Sequence, residues 1–392
     1  MKKILLSEPF LNKFDKIDVS KTIDEGWVST AGKNIKIFEN YLKNFTKSKY
    51  AIACNSGTSA LHIALKVLNI GKGDEVIVPT ISFVATINSV KYNDANPIFM
   101  DADDNFNLDE DKTISFLKNR TYQSSNFCIN KKTKNKIKAI IIAHIWGGGA
   151  KLKQLIKECK SRNIKIVEDA AESLGTFYTK KYLNYKHTGT VGDIGIISFN
   201  GNKIITTGAG GIILTNKKPL EKKSRYFINQ ARDDDSFIHN DVGYNYKMTS
   251  LNASLGISQY KKLKKIIKLK KKISTYYSEI FKNSQIFKYH QQTDTSINNC
   301  WMNVLFIKKE GKSKLIDYLI KNLSNEIQIR RVWLPNHMQK QFKKNEKFNI
   351  KNAYKLYNSS ICVPSSANLT KKKILYIYKR LHSFYENFIN SK

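Results

Sequence analysis

From about residue 50 the chain alternates short apolar runs with helical patterns, and this alternation restricts the fold more than any other feature. Residues 50–54 read as a strand, after which Leu61, Ala64, Leu65 and Leu68 mark one helix face. Strands are expected at 75–79 and 97–101, on either side of a helical stretch at 83–91. The series continues with a strand at 138–143, a helix at 152–161 and a strand at 164–168. Such β-α-β alternation predicts an α/β fold with a large, mostly parallel sheet covered on both faces. After Asp169 the pattern changes: 194–199 and 211–215 are short apolar runs separated by a glycine-rich turn, which suggests strands with no helix between them. A long helix is expected from about Thr249, a strand at 299–307 and a terminal helix at 371–387. The polar stretch 119–136 reads as a surface loop. A chain of 392 residues exceeds the usual single-domain size, so we expect a large domain at 1–250, including the N-terminal segment, and a smaller C-terminal domain at 251–392.

Composition removes several classes. Hydrophobic residues make up 41% of the chain, enough for a packed core. No apolar stretch reaches the roughly 18 residues needed to cross a bilayer. The run Ile4, Leu5, Leu6 is too short for a signal peptide, so a cytoplasmic protein is expected. Cys54, Cys128, Cys159, Cys300 and Cys362 are scattered and never form a C-x-x-C pair, so they read as reduced thiols, and no metal site is expected. The formal charge of +35 would attract nucleic acid or anionic lipid. Yet only seven of the 67 basic residues are Arg, the residue suited to bidentate phosphate recognition. In the densest run, 261–272, Leu263, Ile266 and Ile267 keep helical spacing, which makes the lysines a solvated helix face. Neither a nucleic-acid nor a membrane partner is expected, although the positive surface favours an anionic substrate.

Four local constellations can carry chemistry. Asn55-Ser56-Gly57-Thr58-Ser59 follows a strand and opens a helix; free N–H groups there could hold a phosphate, or Ser and Thr could simply cap the helix. Asp169 falls at the end of an apolar strand, where α/β folds expose ligand-binding groups, and could pair with a protonated pyridine nitrogen or cap the next helix. Lys203 lies in Ser198-Phe199-Asn200-Gly201-Asn202-Lys203, between an apolar strand and the turn Thr206-Thr207-Gly208-Ala209-Gly210-Gly211. It is one lysine among sixty, and only this context singles it out. The glycine run fits neither the phosphate-loop nor the dinucleotide-binding pattern. Gly243-Tyr244-Asn245-Tyr246-Lys247 is polar, aromatic and ambiguous by itself.

Taken in chain order, these segments resemble the DegT/DnrJ/EryC1/StrS family of sugar aminotransferases, from Gly26-Trp27-Val28-Ser29 to Leu334-Pro335-Asn336-His337. The resemblance implies the aspartate-aminotransferase-like fold type I and pyridoxal 5′-phosphate (PLP) as cofactor, with Lys203 as the Schiff-base lysine. It implies further that Asp169 holds the pyridine nitrogen, that Gly57, Thr58 and Ser198 bind the phosphate, and that Phe83 stacks on the ring. Glu172 matches a polar position near the cofactor. Asn245 matches a residue that reaches the cofactor phosphate of a neighbouring subunit, which implies a homodimer with shared active sites. Trp27, Ser29 and His337 are expected to line the sugar-nucleotide site. Two positions depart from the family: Ala209 stands where Glu is frequent, and Lys247 where Arg is usual.

The stretches 168–175, 186–195 and 199–208 look like the branch serving legionaminic acid biosynthesis. On that reading L-glutamate aminates C4 of a nucleotide-linked 4-keto-6-deoxy-N-acetylhexosamine. The alternative is another keto sugar, as in a GDP-perosamine-like or 3-keto reaction, or a ketocyclitol. A dehydratase of the same family would carry His in place of Lys203.

Overall fold

The computed structural model describes residues 3–233, 237–291, 293–309 and 311–390. In chain order the strands of the first part are β1 (Tyr50–Cys54), β2 (Asp74–Pro79), β3 (Asn96–Met100), β4 (Thr121–Ser124), β5 (Phe127–Asn130), β6 (Lys136–Ala143), β7 (Lys165–Asp169), β8 (Phe177–Tyr178), β9 (Ile194–Ser198) and β10 (Gly211–Thr215). The later strands are β11 (Phe287–Tyr289), β12 (Ser296–Ile297), β13 (Asn303–Ile307), β14 (Arg330–Arg331), β15 (Lys347–Phe348) and β16 (Ser360–Val363).

The large sheet runs β1-β10-β9-β7-β6-β2-β3-β15. Pairing is parallel from β9 through β15, and β10 runs antiparallel to both β9 and β1. Consecutive side chains on a strand point to opposite faces, so both layers can be read from one strand. On β6, Ile141 packs with Val76, Val167 and helix Gly57–Val67, whereas Ile140 and Ile142 join Ile98, Leu155 and Ile166. Burial on both sides explains why these strands are near-continuous apolar runs. Because β1, β2, β6, β7 and β9 point the same way, the segments after them leave the sheet along one edge. The start of the antiparallel β10 reaches that same edge.

A second, antiparallel sheet, β11-β13-β16-β14, packs with helices Ser250–Phe281, Lys312–Leu323 and Lys371–Asn390 through a core of Tyr277, Phe281, Leu305, Leu319 and Ile377. Two contacts cross the proposed division at residue 250: β15 extends the large sheet beside β3, and Ile4 bridges Ile327. Among the described residues no helix is long and apolar enough to cross a membrane.

The polar stretch 119–136 is not the expected loop. It forms the hairpin β4–β5, turning at Ser125 with φ +49°, and β5 pairs with β6. Its buried anchor is polar: the Asn130 amide donates to Glu75 at 2.9 Å and to Glu346 at 2.7 Å. A strand held by carboxylates gives no apolar signal.

Candidate active site

A cavity of about 370 Å³ opens along the edge where the parallel strands end. Six of the residues predicted to bind cofactor (Gly57, Thr58, Phe83, Asp169, Glu172 and Ser198) line it together with Lys203.

At one end stands the N-terminus of helix Gly57–Val67. Ser56 caps it, its Oγ accepting the Ser59 N–H at 3.0 Å. A Cβ on Gly57 would sit 2.8 Å from the Ser198 Cβ, so only glycine lets the helix start come this close to the end of β9. The first-turn N–H groups and the Thr58 and Ser198 hydroxyls thus share one corner, an arrangement suited to a phosphate.

Asp169, the last residue of β7, is buried. Its Oδ2 accepts the Thr86 hydroxyl at 2.7 Å and its Oδ1 the Ala171 N–H at 3.2 Å. Burial dominates and pushes the carboxyl above its ordinary range, against those hydrogen bonds and the charge of Lys203. A buried carboxylate of this kind gains from a cation placed against it, and a protonated pyridine nitrogen is such a cation. Phe83 leaves the sheet just after β2; the residue is 56% exposed and its ring lies 6.3 Å from that of Trp333, so it is available for stacking. These three features fit the cofactor that the sequence implies.

Lys203 sits in the turn after β9, its N–H bonded to the Asn200 carbonyl at 3.0 Å. Its Nζ lies 3.4 Å from Glu172 Oε1 and 4.3 Å from the ring centre of Trp301. Glu172 is buried and accepts the Trp146 N–H at 3.0 Å. Burial raises its carboxyl to about 7, with Lys203 and that hydrogen bond opposing. Behind Asp169, the buried pair His144–Glu168 (2.9 Å) also takes the N–H groups of Gly189, Val191 and Gly192, pinning the loop that leads into β9.

Four predicted residues lie away from this cavity. Asn245 is exposed; its carbonyl accepts the Asn55 amide at 3.3 Å, which fixes the segment beside the helix start without turning the side chain inward. Trp27, 60% exposed, lines a separate open cavity of about 590 Å³ with Lys33 and Ser250. Ser29 is exposed nearby, and its carbonyl accepts the Ser250 N–H at 2.6 Å. His337 points into the protein instead of lining the cavity. Its ring is 2% exposed, with Nδ1 2.6 Å from the Thr80 hydroxyl and Nε2 2.7 Å from that of Tyr354. Burial lowers it to about 4, so the imidazole is neutral and both nitrogens are engaged. The neighbouring Asn336 donates to the Ser82 carbonyl at 2.9 Å, so this segment braces the loop that carries Phe83.

Sequence reasoning missed Arg330, Trp301 and Trp333, all lining the cavity from the C-terminal part of the chain. Arg330 lies 5.7 Å from the Trp146 ring and 5.5 Å from that of Trp333, and its guanidinium makes no hydrogen bond or ion pair among the described residues. The rarity of Arg and Trp in a lysine-rich chain was the available signal: three of the four tryptophans converge here, Trp146 stacking on Trp333 at 4.5 Å.

The fold and this lysine–carboxylate site define a PLP-dependent aminotransferase of fold type I. Residues 10–382 match the DegT/DnrJ/EryC1/StrS aminotransferase family, and the chain belongs to it. It is 34% identical over 390 residues to a GDP-perosamine synthase of Escherichia coli O157:H7, covering 99% of this chain and 100% of the relative. A GDP-perosamine synthase of Caulobacter vibrioides is 32% identical over 377 residues, 95% of each chain. In fold the chain is similar to Helicobacter pylori PseC, an aminotransferase involved in the biosynthesis of pseudoaminic acid. That match has a TM-score of 0.84 at 24% identity and covers 98% of this chain and 100% of the other. The expected closeness to a legionaminic branch is therefore corrected: these named relatives are GDP-perosamine synthases. The protein is a sugar aminotransferase of this family.

Proposed function

We propose that the protein transfers an amino group from L-glutamate to C4 of a nucleotide-linked 4-keto-6-deoxyhexose, with a GDP sugar as the first candidate, for surface-polysaccharide assembly. The observation that carries this reading is Lys203 facing Glu172 and Asp169 in one cavity, within a chain that matches a GDP-perosamine synthase along its whole length. A UDP-linked N-acetylhexosamine ranks behind it.

PLP, when bound, supplies a carbonyl that accepts amines and a ring that takes up the electron pair of a broken C–H bond. The residues do the rest. Gly57, Thr58 and Ser198 would hold the phosphate, Phe83 would stack on the ring, and Asp169 would keep the pyridine nitrogen protonated. Lys203 Nζ takes the proton from the α-carbon of glutamate in one half-reaction and delivers one to C4 of the sugar in the other. Arg330, whose guanidinium pairs with no carboxylate among the described residues, meets the acid group of the donor. Asn245, exposed beside the helix start, reaches the phosphate corner of a second copy, so the working form is a homodimer. Trp27 and Ser29 contact the sugar nucleotide from the surface. The five free thiols suit the cytoplasm.

The test is a mass-spectrometric assay of GDP- and UDP-linked 4-keto-6-deoxy sugars with glutamate. A mass change corresponding to replacement of the keto oxygen by an amino group, with the GDP sugar the better substrate, is expected. Turnover of UDP-N-acetylhexosamines alone refutes the carrier, and turnover of only a ketocyclitol refutes the substrate class.

A further inference from the structure

We propose that Glu172 and the indole face of Trp301 form a dock for the free amine of Lys203, and that Asn299 holds both halves of the dock in place. The inference rests on the reading of Lys203 as the catalytic lysine and concerns what that side chain does when it is not bonded to the cofactor.

On that reading the lysine would work as a free amine whenever a substrate amine takes its place. A lysine side chain has four rotatable bonds, and confining it costs rotamer entropy that favourable contacts must offset. Here the free amine is held between a carboxylate oxygen at 3.4 Å and an aromatic face at 4.3 Å. A carboxylate and an aromatic face both attract a positively charged nitrogen. Asp169, Glu172 and Arg330 are the charged groups around the amine, and His144 lies behind Asp169.

Trp301 is 1% exposed and tethered at three points. Its Nε1 donates to the carbonyl of Asn202, the residue before the lysine, at 2.7 Å. Its N–H donates to Asn299 Oδ1 at 2.9 Å, and its carbonyl accepts the buried Lys270 ammonium at 3.0 Å. The Asn299 amide then donates to the carbonyl of Glu172 at 2.8 Å and to that of Leu174 at 2.9 Å. One buried side chain thus ties the backbone of the carboxylate to the backbone of the indole. A Cβ on Gly147 would lie 1.9 Å from Asn299 Oδ1, so glycine there, at φ +87°, leaves room for the tie.

The dock gives the proton a place to wait. With PLP bound, its ring would take up the electron pair of the breaking glutamate C–H bond, and the proton would form a third N–H bond on Nζ. The ammonium rests against Glu172 and Trp301 until the proton is delivered to carbon, and Nζ ends as it began. Trp301 is a positioning residue, because it acts through the lysine.

The test labels the apoenzyme with an amine-reactive reagent and reads Lys203 by peptide mass spectrometry from pH 7 to pH 11. Trp301→Leu is expected to raise the labelling rate of Lys203 at pH 8 about fivefold, with the excess vanishing toward pH 11, because the π contact acts only on a charged nitrogen. A mere gain in access would raise the rate equally at every pH and would overturn the proposal, as would no change. Trp301→Phe, which keeps a weaker aromatic face, is expected to fall about midway and carries the test if the leucine variant does not fold. In the holoenzyme the glutamate half-reaction of Trp301→Leu, followed by cofactor absorbance, should slow ~10-fold while the KM for glutamate stays within ~2-fold. Borohydride mapping of each variant tests the underlying reading separately. An adduct on Lys203 with an unchanged pH profile sinks the dock alone.

Discussion

The cofactor side of the cavity and the surface that carries Trp27, Ser29 and Asn245 are built in opposite ways. The first is assembled inside one chain from segments leaving the C-terminal ends of β1, β2, β7 and β9, and its carboxylate is already hydrogen-bonded to Thr86. The second is exposed and separate from the cavity. Residues at the end of a buried parallel strand are placed by the sheet itself, whereas residues on exposed segments gain a role only from what covers them. That contrast supports the reading that a second copy completes the site.

The largest effect should come from the built side. Lys203→Ala is expected to cost at least ~10³-fold in turnover, measured as amino-sugar formation. Asp169→Asn should cost ~10²-fold, because an amide does not hold the pyridine nitrogen protonated. If either retains the parental rate, the built side is not where the chemistry occurs. Arg330→Gln sharpens the contrast within the cavity: the KM for glutamate should rise ~30-fold while that for the sugar nucleotide stays within ~3-fold, since only the donor carries carboxylates near the reacting carbon. Equal effects on both substrates would assign the guanidinium elsewhere. On the exposed side, Asn245→Ala should weaken cofactor binding ~10-fold, read by fluorescence titration. A protein that sediments as a monomer yet is fully active would erase the distinction.

The smallest effect on catalysis belongs to His337. His337→Gln should leave both KM values within ~2-fold and lower stability by about 1–2 kcal/mol. The depressed value sets the sign with pH. Between the ordinary 6.5 and about 4 the unfolded chain binds a proton that the folded one does not. Its stabilisation is therefore present above 6.5 and is lost as pH falls toward about 4. His187 and His290, also pushed to about 4 by burial, act in the same direction. Urea midpoints from pH 7 to pH 4 should decline, less steeply in the variant.

The large sheet was legible because strands buried on both faces write themselves as apolar runs, and Asp169 and Ser198 were legible because they end such runs. The hairpin β4–β5 was not, since Asn130 is anchored by Glu75 and Glu346 rather than by apolar packing. Arg330 and Trp301 come from short segments whose place in the cavity depends on docking of the second sheet, which no local pattern encodes. His337 stands in a family motif, but a motif does not say which way a ring points. The stretches around Lys203 line or brace the deep part of the cavity, so they carry little information about the sugar. The misjudged branch has that cause.

The central claim is that one amine, Lys203, bonds the cofactor. Borohydride reduction of the PLP-loaded protein, followed by peptide mapping, tests it directly. A reduced adduct on the peptide containing Lys203 is the expected result; an adduct on any other lysine, with Lys203 unmodified, would contradict it.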